Sequence, residues 1–77
     1  MSVTLEDLAV GDQGRVLGYQ ASAGAYRRKL LSMGLTPGVA LEVVRVAPLG
    51  DPVEIRVRGT SVSLRRAEAA VLEVERA

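Results

Sequence analysis

The chain has 77 residues, 48% of them apolar, with 10 basic against 9 acidic side chains and a formal net charge of +1. That length makes one domain, residues 1–77, near the lower limit for unaided folding. The interspersed charges lack the basic stripe of a dedicated nucleic-acid binder, and with no Cys and no His a disulfide framework, a thiolate zinc site, an imidazole base and a thiolate nucleophile are excluded.

Thr4 precedes Leu5, Glu6, Asp7 and Leu8, and the Thr4–Asp7 spacing is an acidic variant of the capping box, so a single helical turn is expected. Gly11–Gly14 reads as a turn into a strand at Arg15–Tyr19, with Val16 and Leu17 as its apolar content. The one extended helix covers about Gly24–Met33, with Ser22 as its N-cap. Ala23, Tyr26, Leu30 and Met33 recur at helical spacing and mark its inner face, while Arg27, Arg28 and Lys29 fall to the sides and outside. Gly34 supplies the left-handed residue that ends the helix, and Leu35 folds back onto Leu30 in a Schellman pattern.

Thr36-Pro37-Gly38-Val39 has the residues of a type II turn. Val39, Leu41 and Val43 then alternate, but Val44 and Val46 continue on the opposite phase, which requires a bulge or bend near Val43–Val44. Pro48–Pro52 is a loop closed by proline at both ends. Val53, Ile55 and Val57 form a strand, Gly59 turns the chain, and Val62 and Leu64 form the next. A short helical turn at Arg66–Ala69 leads to a last strand carrying Leu72 and Val74. About five short strands, tight connections and one inserted helix predict a mainly β, strongly bent barrel of SH3-like architecture. Lacking Phe and Trp, its core must be aliphatic, and at this size turns and caps must contribute to stability.

Chemistry has little to stand on. Asp51 with Glu54, and Glu73 with Glu75, are carboxylate pairs better read as a turn and a solvated strand face. Several convergent carboxylates, as a hard divalent cation needs, are not visible. Iron sites favour imidazole or thiolate beside carboxylate, so neither a metal nor a cofactor is expected. Gly11 and Gly14 lack the strand-to-helix context and the Lys of a phosphate loop. No basic segment followed by an apolar run opens the chain, and no stretch approaches the roughly 20 apolar residues of a bilayer span. A soluble protein is expected.

Two features remain that could bind a partner. Arg27, Arg28 and Lys29 form a positive helix face, whose plain alternative is solvation. Leu49 stands between Pro48 and Pro52 at a loop tip, whose alternative is a loop folded back over the barrel end. Polyproline binding of the ordinary SH3 kind needs an aromatic-lined groove, which two tyrosines barely furnish.

The runs Tyr26–Gly38 and Val43–Pro52, with Val53–Arg58, Ser61–Arg66 and Ala70–Glu75 after them, resemble the FeoA family, ferrous iron transport protein A, over essentially the whole chain. The resemblance implies an SH3-like barrel in the cytoplasm that acts with the cytoplasmic domain of the membrane GTPase-permease FeoB in bacterial Fe²⁺ uptake. Regulation of nucleotide turnover and assembly of the transporter are both compatible with it. The same fold occurs as a C-terminal module of metal-dependent repressors, whose helix-turn-helix domain is missing here. A non-enzymatic interaction module presenting Leu49, Arg27, Arg28 and Lys29 is therefore the leading expectation. The alternative is a small RNA-binding barrel, betrayed by salt-dependent binding to generic RNA.

Overall fold

The computed structural model describes residues 2–77. Strand β1 (Ser2–Thr4) runs into a 3₁₀ turn (Leu5–Asp7), followed by β2 (Gln13–Tyr19), a second 3₁₀ turn (Ala21–Ala23) and helix α1 (Tyr26–Ser32). Strands β3 (Ala40–Val46), β4 (Val53–Val57) and β5 (Thr60–Leu64) come next, then the single-turn helix α2 (Arg66–Ala69) and β6 (Leu72–Arg76). All pairings are antiparallel, in the order β1-β6-β2-β3-β4-β5. The sheet is mainly β as expected, with six strands rather than about five. Strand β1 escaped sequence reading because three residues show no alternation.

Two bulges bend the sheet. In β3 the register slips between Val43, opposite Ile55, and Arg45, opposite Glu54. This is the break that two out-of-phase sets of valines demand, since a flat strand could not turn both inward. In β2 the register slips between Val16 and Gly18, and the extra residue, Leu17, points outward at 43% exposure instead of feeding the core. Alternation holds elsewhere. Val53, Ile55 and Val57 of β4 and Val74 of β6 are buried, and they enclose the core with Leu30, Leu35, Leu64 and Leu72.

Helix α1 is shorter than the predicted Gly24–Met33. Gly24 adopts φ 51° and ψ −123°, which no α-helical residue can hold, so the segment divides into a 3₁₀ turn and a helix that begins at Tyr26. Ser22 therefore lies inside the 3₁₀ turn and is not the N-cap; Ala25 takes that position without a side-chain bond. The break also puts Ala23 out of the helical frame. Ala23 and Leu30 are buried and Met33 is half-buried, whereas Tyr26 faces solvent.

The C-terminal end matches the expectation. The Leu35 N–H donates to the Leu30 carbonyl at 3.1 Å and the Gly34 N–H to the Leu31 carbonyl at 3.0 Å, with Gly34 at φ +87°. These are the two bonds of a Schellman motif. The following turn is closed by the Val39 N–H on the Thr36 carbonyl, with Gly38 at φ +93°. At the other end of the chain, the Thr4 N–H and hydroxyl both donate to Asp7 Oδ2, at 3.0 and 3.2 Å.

Candidate interaction surface

The loop between β3 and β4 is built to expose one side chain. The Gly50 N–H donates to the Ala47 carbonyl at 2.7 Å, closing a β-turn with Pro48 and Leu49 at its corners and Gly50 after them at φ +80°. Proline favours the first corner of such a turn and glycine the residue after it. The Ala47 N–H donates to the Pro52 carbonyl, and Asp51 Oδ1 accepts from the Arg66 N–H at 3.3 Å, so the base of the loop is held from two sides. Leu49 is 86% exposed. The loop does not fold back over the barrel end.

The three helix cations have different surroundings. Arg27 stacks over the Tyr19 ring, 5.8 Å from its centroid, and the Tyr19 hydroxyl donates to the Leu35 carbonyl. Burial pushes the Tyr19 phenol up and the charge of Arg27 pulls it part of the way back. Lys29 Nζ lies 2.6 Å from Oε2 of Glu68, whose side chain is only 2% exposed. Arg28 is exposed and forms no ion pair among the described residues. Arg27, Arg28 and Lys29 thus share one short helix and are not one continuous free surface.

The sequence pattern alone does not single out Glu68. Its other oxygen accepts from the Arg65 N–H at 2.8 Å, which caps α2. Burial pushes its carboxyl up, but the Lys29 hydrogen bond, the Arg65 N–H and the nearby positive charges outweigh that and hold it below the usual carboxylate range. The signal was its place in the apolar run Ala67–Leu72, where a charge implies a partner.

Among the described residues no three carboxylates gather into a cation site. A cleft of about 580 Å³ between the end of β2 and α1 is lined by Tyr19, Gln20, Arg27 and Pro37 and brings no acid–base pair together. Among the described residues no helix is long and apolar enough to cross a membrane.

Residues 3–76 match the family model of the FeoA domain. A fusion of Fe(2+) transport protein A with the Fe(2+) transporter FeoB, from Porphyromonas gingivalis, is 42% identical over 71 residues; the match takes in 92% of this chain but only 8% of that protein. The FeoA-like protein of Clostridium acetobutylicum superposes with a TM-score of 0.89 at 33% identity, covering 97% of this chain and 86% of the other. The FeoA of Stenotrophomonas maltophilia, an SH3 domain protein solved with zinc, gives 0.81 at 28% identity, covering 95% and 89%. The bent sheet is accordingly SH3-like.

Proposed function

The chain belongs to the FeoA family of ferrous iron transport, and from that premise we propose that it is a transport accessory protein that docks onto the cytoplasmic domain of a FeoB-type membrane transporter. The observation that carries this reading is the relative in which a domain of this kind and FeoB form one polypeptide. Fusion raises the effective concentration of two parts that have to meet. In this reading the protein works in the cytoplasm, contributes no catalytic group of its own, and reaches the membrane through its partner.

Leu49 is the first contact we assign. It is presented on a turn restricted by proline, so little ordering entropy is lost on binding, and burying one leucine contributes about 1.5–3 kcal/mol. Arg27 and Arg28 form the second contact, with Lys29 contributing the half of its side chain that Glu68 leaves in solvent. The test is titration calorimetry of the protein against the cytoplasmic domain of the FeoB-type transporter from the same genome. Leu49→Asp should weaken binding more than about tenfold and leave the melting temperature in place. Absence of binding by the unaltered protein overturns the docking reading, and undiminished binding by a stable Leu49→Asp variant moves the interface elsewhere.

A further inference from the structure

Strand β5 lies at the end of the sheet, and among the described residues β4 is its sole strand partner. It follows β4 through a two-residue turn in which Arg58 and Gly59 both have positive φ, 53° and 76°, the geometry of a type I′ hairpin. Such a hairpin makes the flanking pair, Val57 with Thr60, a hydrogen-bonded one, and bonded and non-bonded pairs alternate from there. Thr60, Val62 and Leu64 therefore turn their backbone groups to β4, opposite Val57, Ile55 and Val53. Ser61 and Ser63, opposite Arg56 and Glu54, turn theirs to the open edge. Neither takes part in any backbone bond from the turns and loops among the described residues. Both are exposed.

Proteins normally blunt such an edge with Lys, Pro, a bulge or an inward charge. Strand β5, Thr60-Ser61-Val62-Ser63-Leu64, has none of these, and its register against β4 is unbroken. The charge around it is lopsided. Arg58 stands at one end, Arg65 at the other and Arg56 beside Ser61 on the outer face; none of the three is in an ion pair among the described residues. Glu54, beside Ser63, faces them, and the buried Glu68 feels the charge of Arg65, while Arg66 is occupied by Glu6 at 2.9 Å. A hollow of about 280 Å³, lined by Arg45, Ala47, Pro52, Glu54 and Ser63, runs from the strand to the base of the Leu49 loop.

We propose that the open edge of β5 is a β-augmentation site that takes an extended, acid-flanked segment of a partner protein as a seventh strand. Backbone bonds to Ser61 and Ser63 supply the pairing, and Arg58 and Arg65 select acidic flanks. A second copy of this chain is the wrong occupant. Antiparallel self-pairing of β5 sets the Arg58 end of one copy beside the Arg65 end of the other, bringing like charges together at both ends.

The experiment follows amide hydrogen exchange by NMR on the full chain with two synthetic peptides of the same alternating Val/Thr strand, one flanked by Asp and Glu, the other by Lys. The acidic peptide should slow exchange at Ser61 and Ser63, and the Lys-flanked version should bind at least about tenfold more weakly. Ser61→Pro removes one outward N–H at a position where an edge strand tolerates proline. It should weaken the acidic peptide by about tenfold with the melting temperature retained. Equal affinity for the two peptides, protection confined to other residues, or no protection overturns the proposal. Concentration-dependent protection of Ser61 and Ser63 without peptide assigns the edge to self-association and overturns it too. The transporter domain, added in place of peptide, separates the two readings. Binding without protection at Ser61 and Ser63 preserves the docking reading and rules that domain out as the strand donor. Peptide binding without domain binding leaves the edge site standing while the docking reading fails.

Discussion

Lys29→Met isolates the contribution of the Glu68 ion pair to stability. The substitution keeps a flexible apolar stem and removes the ammonium that lies 2.6 Å from a carboxylate of 2% exposure. Breaking a fully buried pair costs about 3–5 kcal/mol because the remaining charge is stranded. Lys29 is 52% exposed, however, so water can partly replace it, and the Arg65 N–H still reaches the other oxygen. Discounting for that screening leaves on the order of 1–2 kcal/mol. An unfolding entropy of roughly 160 cal/mol/K for a chain of 77 residues converts this to a fall in Tm of about 6–12 °C. The pH dependence identifies the cause. The Glu68 carboxyl is depressed in the folded state, so its stabilisation is present above the unfolded carboxylate pKa and is lost as pH falls through the lower folded value. Without Lys29, its hydrogen bond and charge no longer lower the carboxyl, so it rises from that depressed position. The gap between the two proteins, measured by circular-dichroism melts, is therefore widest at neutral pH and closes in acid. A gap under about 2 °C at neutral pH, or one that persists unchanged once carboxylates are protonated, would refute the reasoning.

Gly34→Ala should cost on the order of 1 kcal/mol and several degrees of Tm: φ there is +87°, although nothing lies within 4 Å of the added Cβ. An unchanged Tm would mean the helix end tolerates a side chain. Anaerobic titration with Fe²⁺ should reveal no site tighter than about the millimolar range of weak carboxylate sites, since the chain has no His or Cys; a stoichiometric micromolar site would make it an iron carrier. Generic RNA should give no salt-sensitive binding in a filter or fluorescence assay, and a steep salt dependence would support the RNA-binding alternative.

Most of the fold could be read from the sequence because its turns are chemically specific. Gly34, Pro37-Gly38 and Pro48–Pro52 each admit few backbone conformations, and the broken alternation at Val43–Val44 implies the bulge that the β3–β4 register contains. The start of the helix could not be read, because Gly24 is compatible with a helix or with a break, and tertiary packing decided for the break. Leu17 is apolar yet exposed because strand alternation puts it on the face opposite buried Val16. For the candidate site, the exposure of Arg28 followed from the helix pattern, whereas the sequence leaves Leu49 open between exposure and a folded-back loop, and the turn closed by Ala47 and Gly50 decides for exposure. The engagement of Lys29 did not, because its partner lies 39 residues away in sequence and only the folded chain brings the two side chains together.

The position of β6 governs how this chain can fold. It lies between β1 and β2, pairing Val74 with both Val3 and Val16, so strands far apart in sequence join. Contacts of such long sequence separation slow folding, because loop entropy is lost before the pairing compensates. A nascent chain that ends before Leu72 can build the β2-β3-β4-β5 meander but leaves β2 with an unpaired side and β1 with no partner. Completion therefore waits for Leu72–Arg76, and until they pair β2 is a template that any neighbouring chain can pair with.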